Sequence, residues 1–125
     1  LFRLGTQAFA NADFPEAIRF LNESLTLGQY NAATKADAYY WRGEANYRLE
    51  KYQAAGSDLR HYLEFATDKS SQEYGLALYN LGYTEFKQKK YTEALNWFSR
   101  YVKRGSGNHR HQKGKRYRFR RSHRI

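Results

Sequence analysis

The sequence predicts an all-α fold, a solenoid of three helical hairpins over residues 1–102, followed by a basic C-terminal tail over 103–125. Three observations lead there. First, Gly5, Gly43 and Gly82 lie 38 and 39 residues apart and keep the same company. An aromatic follows four residues later (Phe9, Tyr47, Phe86) and another after nine (Phe14, Tyr52, Tyr91). An Ala stands at twelve (Ala17, Ala55, Ala94) and a large apolar residue at sixteen (Leu21, Leu59, Phe98). A five-point pattern in three copies is an internal repeat. Second, the apolar residues within each copy recur at helical spacing. Third, a single Pro and 18% aromatic residues favour long helices over a β-rich fold.

Each element follows in turn. In the first repeat, residues 1–30, Leu1, Leu4, Ala8 and Phe9 share one face of a helix over 1–11. A break at Asn11–Asp13 leads into a second helix over 14–27, carrying Ala17, Ile18, Leu21 and Leu25 inward. Asp13 with Glu16 reads as a capping box, Pro15 suits a first turn, and Gly28 suits a C-terminal cap. The second repeat, 31–69, places Tyr39, Gly43 and Tyr47 on a helix over 33–49, breaks at Leu49–Lys51, and resumes over 52–66. The third, 70–102, opens with Ser70 and Glu73 as a second capping box and carries Leu78, Leu81, Gly82 and Phe86 on a helix over 70–88. After Lys89–Lys90 the last helix, over 92–103, presents Ala94, Leu95, Phe98, Tyr101 and Val102. Small Gly and Ala residues let paired helices approach, and the large residues fill the space around that contact.

Charge is divided unevenly. The formal charge is +10, from 22 Lys and Arg against 12 Asp and Glu. Residues 1–102 hold twelve acids and twelve of the bases, so the repeats are neutral. Residues 103–125 hold the other ten bases, three of the four His and no acid. The absence of Cys excludes disulfides, thiolate zinc sites and a Cys nucleophile. No apolar run approaches the roughly 20 residues of a membrane helix, and no signal peptide is visible. The start at Leu1 in mid-helix, and the missing closing helix, predict an excerpt from a longer array.

At the Gly, Ala and aromatic positions the chain resembles the tetratricopeptide repeat family, long-repeat bacterial type. Leu4-Gly5 and Leu81-Gly82 match its motif, followed by Phe14/Ala17 and Tyr91/Ala94. Tyr39-Tyr40-Trp41-Arg42-Gly43-Glu44-Ala45 and Tyr79-Asn80-Leu81-Gly82-Tyr83 look most like bacterial members. The departures are Arg42 for the usual Leu, and Ser24, Tyr62 and Tyr101 where a small residue is usual. The closing Pro is missing, and the period exceeds 34 residues by about one helical turn. Such long units are similar to those of bacterial cell-envelope members, including the outer-membrane assembly and Tol–Pal-associated kinds. That likeness favours the periplasm over the cytoplasm.

The resemblance implies a non-catalytic scaffold that binds a peptide or helix of a protein partner in a concave groove lined by the first helix of each hairpin. By family register the groove takes Phe2, Arg3, Thr6 and Phe9, then Tyr40, Trp41, Glu44, Tyr47 and Arg48, then Tyr79, Asn80, Tyr83, Phe86 and Lys87. This set is unusually aromatic, which suits an apolar segment, with Arg48 and Lys87 placed to hold carboxylates at its edge. The chaperone-binding carboxylate clamp is excluded: its positions hold Phe2, Thr6, Trp41, Leu76 and Asn80, and only Asn80 fits. Self-association through Phe98, Tyr101 and Val102 of the last helix is a further possibility.

The tail offers an alternative. Arg116, Tyr117, Arg118, Phe119, Arg120 and Arg121 interleave bases with aromatics, a pattern able to neutralise phosphates, stack on bases or hold to an anionic surface. A solvated extension, or a segment foreign to the domain, explains the same composition and is the preferred reading, so nucleic acid is not the expected partner. His109 and His111 lack carboxylate partners for a metal, and Gly114-Lys115 lacks the rest of a phosphate loop. Asp58, His61 and Glu64, one helical turn apart, read as a solvated charged face. No Ser/His/Asp arrangement appears, so neither an enzyme nor a cofactor is expected.

Overall fold

The computed structural model describes residues 1–28 and 31–107. Among them lie six helices: α1 (Phe2–Ala10), α2 (Phe14–Leu27), α3 (Ala32–Arg48), α4 (Tyr52–Phe65), α5 (Gln72–Lys87) and α6 (Tyr91–Gly107). They pair as three hairpins, α1 with α2, α3 with α4 and α5 with α6, and the hairpins stack through α2 on α3 and α4 on α5. The first helix α1 also touches α3, with no comparable contact from α2 to α4 among the described residues, so α1 and α3 crowd together on one side.

The hairpins close on the expected exchange of small for large. A Cβ built on Gly5 would lie 2.7 Å from Leu21 Cγ, and one on Gly82 would lie 2.7 Å from the Phe98 ring. At Gly43 the equivalent neighbours, Leu59 and Asp58, stand at 3.2 and 3.1 Å. The residue sixteen positions after each Gly therefore occupies the room that the missing side chain leaves. Ala17, Leu21, Ala55, Leu59 and Leu81 have no exposed surface, and Leu59 and Leu81 join Tyr40, Tyr62, Leu63, Tyr74 and Leu78 in the central cluster.

Each hairpin turn uses the same backbone device. Ala12, Glu50 and Lys89 adopt left-handed conformations (φ 61°, 60° and 63°), seven residues after the respective Gly. The next residue's N–H then donates back to the first helix: Asp13 to Ala8 O, Lys51 to Asn46 O, and Lys90 to Glu85 O. Non-glycine residues rarely take this conformation. Here the packing of two helices imposes it. Gly28 closes α2 as expected, at φ 64° with its N–H bonded to Ser24 O.

Three expectations need correction. The cap of α5 is Ser71, whose hydroxyl accepts from the Tyr74 N–H, while Ser70 is tied to the Asp68 carboxylate. Of the other expected box, Asp13 accepts from the Glu16 N–H, and the Glu16 carboxylate turns to Arg19. Second, α6 runs to Gly107 rather than stopping near 103. Arg104 supports that extra turn by donating to Ser71 O at 2.8 Å. Third, Asp58 is not on a solvated face but is 3% exposed. It accepts two hydrogen bonds from the Arg42 guanidinium (2.6 and 2.9 Å) and one from Asn46. His61 stacks against Tyr39 and Phe65, which also stack on each other, with its Nδ1 at Ser57 O, while Glu64 is exposed.

Candidate functional site

On the crowded side, one stripe of each first helix recurs at alternating steps of four and three residues. In α3 it reads Thr34, Asp37, Trp41, Glu44, Arg48, and in α5 Glu73, Leu76, Asn80, Tyr83, Lys87. Such spacing keeps five residues on one helical face. Each stripe has a carboxylate in its N-terminal half, Asp37 in α3 and Glu73 in α5, and ends on a cation in the last turn, Arg48 or Lys87. The shorter α1 contributes Arg3, which is exposed, and Phe2 and Thr6, which are half-buried.

Aromatic rings join these helices. Phe9 of α1 meets Trp41 of α3 edge-to-face at 5.0 Å, with Phe14 on its other side at 5.2 Å. Tyr47 of α3 meets Tyr83 of α5 at 6.3 Å, and Tyr83 continues to Phe86 at 6.2 Å. Tyr79 leans on Phe98 and Tyr101 of α6 at 5.8 and 5.4 Å. Trp41, Tyr47, Tyr79 and Tyr83 remain half-buried, and Phe86 is 49% exposed. The cations lie on this surface. The Arg48 guanidinium sits 5.3 Å from the Phe9 ring centre, and the Lys87 ammonium 5.4 Å from that of Tyr83. Both positions fit cation–π attraction and leave the charge solvent-facing.

Two expected groove residues have other surroundings. Tyr40 is 4% exposed and lies in the core between Trp41 and Tyr62, so it presents no surface to the groove. Burial, with the charge of Glu44 adding to it, pushes its hydroxyl well above the ordinary tyrosine range. Glu44 is 6% exposed and accepts from Asn80 Nδ2 at 2.7 Å, a polar cross-link between α3 and α5 under the groove floor. Burial raises its carboxyl, opposed by that hydrogen bond and by Arg48. Burial also pushes Tyr47 up to about 12. The remaining candidates, Arg116, Tyr117, Arg118, Phe119, Arg120 and Arg121, lie outside the described residues, as do His109, His111 and Gly114-Lys115.

Sequence reasoning missed the acidic rim. Desolvation raises the carboxyls of Asp37 and Glu73, and the charge of Asp37 raises Glu73 further. Their signal was present, because Asp37 occupies the stripe position before Trp41 and Glu73 opens the stripe of α5. A raised carboxyl holds its proton more readily in the folded chain, so folding is favoured below the unfolded pKa and the benefit fades as pH climbs through the folded value. Asp37→Asn/Glu73→Gln should therefore raise the melting temperature at pH 7 by a few degrees, and the gap from wild type should close as the pH approaches 4. Thermal melts across that range check it; a gap independent of pH would assign the effect to packing instead.

Comparison with known proteins fits this geometry. The tetratricopeptide repeat family model matches residues 59–109, the C-terminal half of α4 and the whole of the third hairpin. The match supports a tetratricopeptide repeat protein, and the six helices are consistent with an all-α helical repeat of that kind. Repeats of this family generally mediate protein–protein interaction and are typically non-enzymatic. No curated protein and no solved structure gives a match. Among the described residues, no helix is long and apolar enough to cross a membrane.

Proposed function

We propose that this chain is a non-catalytic interaction module that binds a peptide or helix of a partner protein along its first-helix groove. The carrying observation is the half-buried ring surface of Trp41, Tyr47, Tyr79 and Tyr83 with Phe86 exposed beside it. A surface of rigid aromatics offers large contact area at small entropic cost, the profile of interface anchors. Arg48 and Lys87 at one rim favour carboxylates on the adjoining flank of the partner, and Asp37 and Glu73 at the other favour cations. Charged groups so placed set orientation and encounter rate more than affinity.

Affinity capture from the source organism, followed by titration of each captured protein, tests the reading. Trp41→Ala and Tyr79→Ala should each weaken binding by about 30-fold, the effect of losing about 2 kcal/mol at an interface anchor. Lys87→Glu, on an exposed side chain, should slow association and alter its salt dependence without disturbing helicity. Full retention of partners by both aromatic variants would show that the rings serve packing alone.

A further inference from the structure

At its C-terminal end α6 is tied to the start of α5. Arg104 donates to Ser71 O at 2.8 Å and to Lys69 O at 3.4 Å. Gly75 leaves the guanidinium its room, since a Cβ there would collide with it. Burial raises the Tyr62 hydroxyl, a hydrogen bond with Ser71 opposes this, and the charges of Glu73, Asp37 and Asp68 raise it further. The three carboxylates therefore gather where α6 crosses α5. Among the described residues none of them is in an ion pair. Lys35 and Lys69, close by in sequence, lie over the Phe65 and Tyr74 rings instead. One turn further along the two groove stripes stand Trp41, after Asp37, and Leu76, after Glu73, both half-buried. One end of the groove thus joins apolar surface to negative charge.

Because α6 ends at Gly107, residues 108–125, outside the described residues, are joined to the fold at this same end. They hold eight Lys and Arg and no acid, with Tyr117 and Phe119 interleaved among Arg116, Arg118, Arg120 and Arg121. The eight residues 108–115 precede that run and span up to about 27 Å when extended. From Asp37 to Arg48 the groove follows eleven residues of helix, about 16 Å. The basic run can therefore reach every part of it.

We infer that residues 116–121 dock in the acidic end of the groove of their own chain, with arginines at Asp37 and Glu73 and rings on Trp41 and Leu76. Resting on the groove reading above, this arrangement makes the tail a competitor of the partner protein. A tethered segment meets its site at an effective concentration in the millimolar range, so a Kd of about 0.1 mM keeps the groove about nine-tenths occupied. The partner's apparent affinity then falls about tenfold.

NMR on residues 1–125 tests it. The chain has no Cys, so Ser122→Cys accepts a single nitroxide beside the basic run. That label should broaden the Trp41 indole and the amides of Asp37, Glu73 and Leu76. Asp37→Asn/Glu73→Gln should remove most of the broadening with helicity unchanged. Reversing Arg116, Arg118, Arg120 and Arg121 to Glu together should do the same, and should tighten the binding of a partner about tenfold. Absence of broadening across the repeats overturns the inference, as does broadening centred elsewhere or unchanged by both variants. Broadening of an untagged, isotope-labelled chain by an equimolar tagged, unlabelled chain would assign the contact to a second copy and equally overturn it. A partner that loses affinity with Trp41→Ala but ignores the four-Arg variant overturns the competition and leaves the groove reading intact. A docked tail, beside partners indifferent to Trp41→Ala and Tyr79→Ala, upholds the docking and sinks the groove reading instead.

Discussion

Asp58→Ala is expected to lower the unfolding free energy by about 3 kcal/mol, the low end of the cost of breaking a buried ion pair. The carboxylate is 5% exposed in its side chain and the Arg42 guanidinium 23%, so part of the cation remains hydrated after the change. What the substitution strands is specific. Arg42 loses both Nε and Nη2 partners, and Asn46 loses the acceptor at 3.2 Å. Arg42 is also the residue that reaches across to Asn22 of the preceding hairpin, so its disorder should loosen the α2–α3 junction as well. Arg42→Leu, which restores the residue usual in the family, should not help by itself, because it leaves the Asp58 carboxylate buried without its cation. Arg42→Leu with Asp58→Leu should recover most of the loss, since an apolar pair of similar volume often replaces a buried ion pair at little cost. Urea unfolding of the wild type and the three variants measures this. A cost below about 1 kcal/mol for Asp58→Ala would place the pair with ordinary surface salt bridges.

That pair marks where sequence reading succeeds and where it stops. The small-for-large exchange was legible because one offset, sixteen residues, occurs three times, as Gly5–Leu21, Gly43–Leu59 and Gly82–Phe98. The same offset separates Arg42 from Asp58, so the ion pair could have been inferred from the helix pairing; read along one helix with His61 and Glu64, Asp58 only looked solvated. Turn geometry was hidden for another reason. Ala12, Glu50 and Lys89 show no preference for a left-handed backbone, and only the closure of the two helices forces it on them. Burial of the first-helix residues was legible only in part, since Tyr40 and Glu44 of the expected set are buried. Tyr40 and Tyr79 share one register position, yet Tyr40 is buried against Tyr62 while Tyr79 stays half-buried against Phe98 and Tyr101, and these neighbours decide the difference. At the C-terminal end the pattern places the last helix over 92–103, yet Arg104 bonds to Ser71 O before α5 and the helix continues to Gly107.

Leu59→Ala carries the other large effect, an expected loss of about 4 kcal/mol within the range for emptying a fully buried Leu site. Leu59 has no exposed surface and packs on Gly43 from within the central cluster, which draws on the second and third hairpins. Leu21→Ala removes a side chain of the same size, also with no exposed surface, from the equivalent position of the first hairpin. The two should nevertheless unfold differently. In a stack coupled only to nearest neighbours, damage in the middle weakens two junctions, whereas damage at an end weakens one. Hydrogen exchange should then show protection falling throughout α1 to α6 in Leu59→Ala, and falling mainly in α1 and α2 in Leu21→Ala. The end position also permits a repair. A Cβ on Gly5 clashes only with Leu21, its next neighbour being Ala17 O at 3.5 Å. Gly5→Ala should therefore destabilise the wild type through overpacking, yet stabilise Leu21→Ala by up to about 1 kcal/mol, the helix-propensity gain of Ala over Gly. The reversal of sign, read from the same melts, is the signature of direct contact between the two positions.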